Sequence, residues 1–231
     1  MLTPGEWETI LLSLKIGMSA VALILPPGVA IAWLLARYEL RGKALLDGLV
    51  HLPLVLPPVV IGYLLLVALG RQGWLGRWLH ELFGITLPFT WQGAAVASGV
   101  MAFPLLVRAV RLSFEAIDPK LEAAASTLGA GRWRIFFTIT LPLAIPGLLT
   151  GTLLAFARAF SEFGATITFA SNIPGETRTL PLALYTLIQS PGSEAAAARL
   201  CILAIIIAML SLLISEWLSR HARNRLRERD I

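Results

Sequence analysis

Five long stretches of the sequence contain no Asp, Glu, Lys or Arg, and they limit the folds that the chain can adopt. These apolar stretches run over Ile16–Ala36, Leu52–Leu69, Gly93–Val107, Ile139–Ala157 and Leu200–Ser215. A helix needs roughly 20 mostly apolar residues to cross the hydrocarbon core of a bilayer, and the shorter stretches reach that length with their flanking residues. Only 14% of all 231 residues are charged, against about 25% in an average soluble domain. The sequence therefore predicts an all-α integral membrane protein.

We expect a single transmembrane domain over residues 1–231, because the sequence has no internal repeat, low-complexity tract or linker. We expect five spans, at about 14–36, 50–69, 91–111, 139–158 and 198–218. The first span is interpreted as retained rather than as a cleaved signal peptide. It is preceded by Glu6 and Glu8 instead of a basic region, and its apolar run continues past the point where a cleavage site would lie.

Basic residues are distributed unevenly between the loops. If the loops alternate across the membrane, thirteen Lys and Arg residues fall on one side and six on the other. Positive charge marks the cytoplasmic side of membrane proteins. This predicts an external amino terminus and a cytoplasmic carboxyl terminus. The basic tail that begins at Arg220 is interpreted as an orientation signal and a contact for anionic lipid, not as a nucleic-acid site.

Prolines cluster in the first two predicted spans, at Pro26-Pro27 and at Pro53, Pro57 and Pro58. Broken helices are tolerated in lipid where they are buried in protein or line a cavity, so these prolines indicate either a pathway or ordinary kinks. Two further apolar pieces, Phe163–Ser171 and Leu180–Ile188, are too short to cross the bilayer. We expect re-entrant or interfacial segments there, which could close the outer mouth of a pathway.

The sequence lacks the common motifs of energy conversion and catalysis. It has no G-x-x-x-x-G-K-S/T phosphate loop and no H-E-x-x-H zinc motif, and His51, His80 and His221 lack ligand spacing. We therefore expect no metal site, no cofactor and no enzymatic activity in this chain. An intramembrane enzyme is a less favoured alternative, because no reactive pair of side chains is visible inside a span. The charged residues that proton-coupled carriers need inside the membrane are also missing, which disfavours a secondary transporter. If the chain moves a solute uphill, the energy must come from another protein.

A short polar helix is predicted between the third and fourth spans. Asp118 can cap its start and Pro119 suits its first position, while Glu122 lies in the first turn. Gly129 is expected to end the helix with a positive φ angle. One apolar face is formed by Leu121, Ala125 and Leu128. About ten residues cannot form a stable isolated helix in water, so this helix must dock on another surface.

Residues 118–142 resemble a known family of transport proteins. Glu122-Ala123-Ala124, Gly129, Ile139 and Leu141-Pro142 resemble the Glu-Ala-Ala loop of bacterial ABC importer permeases. The resemblance implies a coupling loop at 118–138 whose helix fits a cleft on a cytoplasmic ATPase subunit. It assigns this role to Glu122, Ala123, Ala124 and Gly129, with Leu141-Pro142 as the entry to the fourth span.

The similarity extends over most of the chain. "GKALLDGLVHLPLVLPPVVIGYLLLVALGR" and "EFGATITFASNIPGETRT" resemble the molybdate-transport permeases, with the sulfate or thiosulfate permeases as the alternative. This implies a type I ABC importer permease in a bacterial plasma membrane, forming a homodimer. Two ATPase subunits would bind ATP and Mg²⁺, and a periplasmic or surface binding protein would deliver molybdate or tungstate. Some members of the family carry an additional amino-terminal span, so six spans remain an alternative to five.

The residues between the fourth and fifth spans are candidates for an outer gate. The candidates are Arg158, Glu162, Phe163, Gly164, Thr166, Thr168 and Ser171. Arg158 and Glu162 lie four residues apart and form either a gate pair or an interfacial ion pair. The second interpretation is favoured on the assumption that the pair is exposed, because exposed ion pairs contribute little.

Overall fold

The computed structural model describes residues 3–39 and 41–227, and they form an all-helical fold. The side chains of the basic tail, from Arg220 to Arg229, lie outside the described part of the chain. Along the described residues the α-helices are α1 (Pro4–Arg37), α2 (Lys43–Val55), α3 (Pro58–Leu69), α4 (Trp74–Phe83), α5 (Trp91–Glu115), α6 (Pro119–Thr127), α7 (Arg132–Ile135), α8 (Leu141–Phe160), α9 (Gly164–Ala170), α10 (Leu180–Ile188) and α11 (Glu194–Arg227).

Four helical segments are long and apolar enough to cross a membrane. They are Pro4–Arg37, Trp91–Glu115, Arg132–Phe160 and Glu194–Ser211, and the pair α2 and α3 makes a fifth if it counts as one bent span. The predicted all-α membrane fold is therefore confirmed. Helix α1 begins well before the predicted span because Thr3 and Glu6 form a reciprocal capping box at its start.

The second predicted span is broken into α2 and α3, which meet at an angle of 114°. Leu56 adopts an extended conformation, with φ −75° and ψ 144°, because a residue before proline is disfavoured in the helical region. Pro57 precedes α3 and Pro58 occupies its first turn, where a missing N–H is harmless. By contrast, α1 continues through Pro26 and Pro27 without ending. The prolines at 57 and 58 therefore reorient the chain, whereas Pro26 and Pro27 do not.

The main core lies where α1, α5 and α8 pack together. Small side chains fill much of it, and Ala20, Ala32, Ala102 and Ala155 are completely buried. Small residues let helix backbones approach closely, which is the usual packing mode of helices in a bilayer. Phe114 is the largest fully buried side chain of α5. This central bundle provides the frame on which the short helices are placed.

A π-helical turn, Phe136–Thr140, joins α7 to α8 without interrupting the helical path. Such a turn holds one extra residue per turn and changes the direction of the side chains around it; it occurs frequently at functional sites. Here it follows the polar loop and precedes Leu141-Pro142, with the proline in the first turn of α8. The loop therefore enters the fourth predicted span through an irregular turn.

Candidate functional site

Helix α6 has the start and the end that its sequence predicts. The Asp118 carboxylate accepts a hydrogen bond from the backbone N–H of Lys120 at 2.9 Å, and Pro119 is the first helical residue. The helix ends at Thr127, and Gly129 follows with φ +82°. A positive φ is costly for any residue with a side chain, so the glycine fixes where the chain turns away from the helix.

The carboxylate of Glu122 ties α6 to the transmembrane bundle. Its Oε1 atom accepts hydrogen bonds from Nη2 of Arg37 at 2.9 Å and from Oγ1 of Thr140 at 2.7 Å. Arg37 is in the last turn of α1, and Thr140 lies just before α8. Sequence reasoning assigned Glu122 to the first turn of the helix and to the coupling element, and it missed both hydrogen-bond partners. Arg37 is 85 residues away in the chain, so no local pattern could indicate this contact.

The apolar face of α6 is not covered by the rest of the described chain. Leu128 is 88% exposed and Leu121 is 48% exposed. Ala123 and Ala124 are also exposed, and their small side chains leave the helix backbone accessible to a partner. Since Glu122 holds a different side of the helix, the leucines present an apolar surface that can bind a complementary cleft.

The candidate gate residues come together around α9. Phe163 immediately precedes this helix, and its ring lies 5.0 Å from that of Tyr185 in α10. The hydroxyl groups of Thr166 and Thr168 donate to the backbone carbonyls of Phe163 and Gly164, both at 2.9 Å. These hydroxyl groups therefore already have acceptors within the helix. Ser171 ends the segment with φ +66°.

Arg158 and Glu162 form the ion pair that their spacing indicates, but the carboxylate is buried rather than exposed. The two side chains are in contact at 2.6 Å, but only 1% of the Glu162 side chain is exposed. Its other oxygen accepts a hydrogen bond from the backbone N–H of Ala165 at 2.8 Å. A buried carboxylate requires such partners because burial removes its water. Glu162 therefore holds the turn from α8 into α9.

Helix α9 packs directly on α3, the second half of the broken span. A Cβ atom on Gly62 would lie 2.7 Å from the carbonyl oxygen of Ala165 and 2.7 Å from Cβ of Thr168. A Cβ atom on Gly164 would lie 2.7 Å from Cβ of Pro58. Only glycine fits at such separations, so the two helices touch backbone to backbone. The candidate gate segment is thereby connected to the break at Pro57.

Two buried hydroxyl groups among the described residues, those of Ser98 and Thr179, have no hydrogen-bond partner. Lys15 is exposed and lies over the ring of Trp91, 3.6 Å from its centre. Within residues 3–39 and 41–227, no three His, Cys, Asp or Glu side chains are placed to hold a metal ion.

Comparisons with known proteins place the chain in a transport family. Residues 28–228 match the family described as "Binding-protein-dependent transport system inner membrane component". The molybdenum transport system permease protein ModB of Escherichia coli K12 is 64% identical over 225 residues, which cover 97% of this chain and 98% of that protein. ModB of Haemophilus influenzae is 57% identical over 226 residues, or 98% and 99% of the two chains.

A sulfate permease is a more distant relative. The probable sulfate transport system permease protein cysT of Chlorokybus atmophyticus is 42% identical over 158 residues. That match covers 68% of this chain and 55% of the cysT protein. The sequence is therefore closer to the molybdenum permeases, both in identity and in the length that is matched.

Solved structures share the fold at low sequence identity. A bacterial ABC transporter that imports the polysaccharide alginate has a chain with TM-score 0.75 and 17% identity, matching 95% of this chain and 80% of that one. The methionine ABC transporter MetNI, in an inward-facing conformation, gives TM-score 0.67 and 18% identity over 94% of both chains. Taken with the family match, the fold shows that the chain is a multi-pass membrane protein of the binding-protein-dependent transport system inner membrane component family.

Proposed function

We propose that this chain is the membrane-spanning permease of an ATP-driven molybdate importer, which also accepts tungstate. The observation that carries the proposal is 64% identity to a molybdenum permease across 97% of the chain. The absence of a phosphate loop from the sequence supports a permease that receives its energy from a separate ATPase. Two copies of the chain would form the pathway, and a binding protein outside the membrane would deliver the oxyanion.

The coupling step would act through α6. Its exposed leucines, Leu121 and Leu128, suit an apolar cleft on the cytoplasmic ATPase. The hydrogen bonds of Glu122 to Arg37 and Thr140 would carry a movement of α6 to the ends of α1 and α8. Closure of the ATPase dimer on ATP would then open the pathway to the binding protein, and hydrolysis would reset it.

The gate would consist of α9 and the part of the bundle that it contacts. The close packing at Gly62 and Gly164 supports movement of α3 and α9 as one unit. The break at Leu56 and Pro57 offers a hinge between this unit and α2. The ion pair between Arg158 and the buried Glu162 would keep the turn into α9 rigid while the unit moves.

The test is uptake of molybdate by the reconstituted importer. The purified chain is combined in proteoliposomes with its ATPase and its binding protein, and ATP-dependent uptake is measured. Omission of either partner should abolish uptake. Tungstate in excess should compete with molybdate, whereas sulfate in equal excess should not. Uptake that sulfate inhibits as strongly as tungstate would instead favour a sulfate importer.

We further predict that the chain by itself binds molybdate weakly. The five apolar stretches contain no Lys or Arg, and the hydroxyl groups of Thr166 and Thr168 donate within their own helix. A conduit also needs weak contacts, since the solute must leave as easily as it enters. The affinity is measured by equilibrium binding of molybdate to the purified permease in nanodiscs. A saturable site of submicromolar affinity would contradict the prediction and place selectivity in this chain.

A further inference from the structure

An open cavity lies between α6, the end of α1 and the start of the helix that leads into α8. Its volume is about 510 Å³, within the range of roughly 300–1,000 Å³ that is usual for small-molecule sites. The wall contains Trp33, Arg37, Tyr38, Arg132 and Phe136. The proposed coupling role uses the carboxylate of Glu122 at one edge of this cavity but none of the other polar groups that line it.

Two arginines give the cavity unused capacity for an anion. Arg37 donates from Nη2 to Glu122, but its Nε atom is buried without a hydrogen-bond partner. Arg132 is exposed, and among the described residues no acidic side chain pairs with it. A buried N–H without an acceptor is unfavourable and rare in native structures. An anionic group in the cavity would provide the missing acceptor and a counter-charge for Arg132.

Aromatic rings form the wall next to these arginines. The ring of Trp33 lies 5.1 Å from Phe136, 5.4 Å from Tyr38 and 6.3 Å from Trp133. Trp133 remains 70% exposed despite this packing. Trp and Tyr are enriched where a membrane protein passes from hydrocarbon into headgroups. The combination of rings and arginines therefore matches the chemistry of the membrane interface.

The cavity is on a different side of α6 from the exposed leucines. Pro119 and Glu122 line it, whereas Leu121 and Leu128 do not. At 3.6 residues per turn, Glu122 and Pro119 are rotated by roughly 100° and 160° from Leu121. A protein that docks on the leucines would thus leave the cavity uncovered.

We propose that this cavity binds the headgroup of an anionic phospholipid. The phosphate accepts hydrogen bonds from Nε of Arg37 and from the guanidinium group of Arg132, and the acyl chains lie against Trp133. Basic pockets between helices on the cytoplasmic side of a membrane are suited to such headgroups. The inference rests on the proposed function only for the orientation that places α6 on the cytoplasmic side, where anionic lipid is enriched.

The test is lipid binding to the assembled importer, measured by native mass spectrometry. Phosphatidylglycerol and phosphatidylethanolamine with identical acyl chains are titrated in parallel, with glycerol phosphate and inorganic phosphate as soluble probes. We expect phosphatidylglycerol to bind preferentially. Arg132→Gln should weaken its binding about fivefold, the change expected for one lost arginine contact. Arg37→Lys, which retains a charge for Glu122 but removes Nε, should also weaken it.

Arg134→Gln is the matched control, because Arg134 is exposed on the same short helix but does not line the cavity. Its binding of phosphatidylglycerol should equal that of the wild type. Equal weakening by Arg132→Gln and Arg134→Gln would indicate a diffuse basic surface and overturn the proposal. The proposal is also overturned if phosphatidylglycerol and phosphatidylethanolamine bind equally. It is overturned as well if glycerol phosphate displaces phosphatidylglycerol at a concentration equal to that of the lipid.

A final comparison separates lipid from a protein occupant. If the isolated chain binds phosphatidylglycerol and the assembled importer does not, the ATPase covers the cavity and the proposal is overturned. These measurements require neither molybdate nor ATP hydrolysis. A negative lipid result therefore leaves the proposed import activity standing, and a failure of molybdate uptake leaves the lipid result unchanged.

Discussion

At the scale of single residues, Gly129 isolates the effect of backbone conformation on the coupling loop. Its φ is +82°, and a Cβ atom there would meet no atom within 4 Å. Gly129→Ala should therefore destabilise the end of α6 by about 1–2 kcal/mol through backbone strain alone. We expect ATP-driven uptake by the reconstituted importer to fall while the protein remains in the membrane.

Gly131 provides the control for this substitution. It also has open space around its Cβ position, but its φ is −69°. Gly131→Ala should leave uptake nearly unchanged, because alanine adopts this conformation readily. Equal uptake by both variants would show that the conformation at Gly129 is unimportant for coupling.

The burial of Glu162 leads to a second prediction at this scale. Glu162→Gln removes the charge that pairs with Arg158 and accepts from Ala165. Hydrogen bonds to charged groups contribute about 1.5–3 kcal/mol, so we expect a comparable loss of stability. The measurement is the thermal unfolding midpoint of the purified chain in detergent.

An exposed pair with the same spacing serves as the reference. Arg111 and Glu115 are also four residues apart and 2.7 Å from each other, but 38% of the Glu115 side chain is exposed. Glu115→Gln should reduce stability by at most about 0.5 kcal/mol. If Glu162→Gln were equally mild, the burial of Glu162 would have no energetic consequence.

At the scale of secondary-structure elements, α6 has two sides with different functions. One side is fixed to the bundle through Glu122, and the other exposes Leu121 and Leu128. The proposed docking on an ATPase uses only the exposed side. An apolar side chain of this size contributes about 1.5–3 kcal/mol when it becomes fully buried.

Leu128→Ser should therefore weaken binding of the ATPase roughly ten- to hundredfold, as expected from the lost apolar burial. Leu128 follows the last helical residue and is 88% exposed, so the fold of the isolated chain should not change. The dissociation constant of the ATPase is measured with the permease in nanodiscs. Ser126→Ala, at an exposed position of the same helix, is the control. Unchanged affinity for Leu128→Ser would exclude this face as the docking surface.

At the scale of the whole molecule, the proposed orientation can be tested by chemical labelling. The background is Cys201→Ala, which removes the one cysteine of the chain. Single cysteines are then introduced at four exposed positions, Ala44, Gln72, Ser126 and Ala195. The basic-residue asymmetry predicts that Gln72→Cys and Ala195→Cys react with an impermeant thiol reagent added outside intact cells. Ala44→Cys and Ser126→Cys should react only after permeabilisation. The reverse pattern would place α6 outside the cell and contradict its proposed contact with an ATPase.

Local sequence signals were sufficient for the fold class and for the boundaries of the polar helix. The length of the apolar stretches predicts membrane helices because a bilayer has a fixed thickness. Asp118 and Gly129 predict the ends of α6 because helix caps depend on the few residues next to the helix. The prolines at 57 and 58 indicated a possible break, although the angle of 114° depends on packing and was not predictable.

The tertiary structure decided which side chains meet. The pairing of Arg37 with Glu122 joins residues 85 positions apart, and the contact between Gly62 and Ala165 joins α3 to α9. The four-residue spacing of Arg158 and Glu162 indicated their ion pair, but spacing could not show that Glu162 lies inside the protein. Hydrogen-bond partners and burial depend on how helices that are distant in the chain pack together. The local sequence of a helix does not decide which of its faces contacts a neighbour. Sequence by itself therefore determined where this chain is apolar and where α6 begins and ends, whereas only the packed bundle determined how α6 and α9 are held.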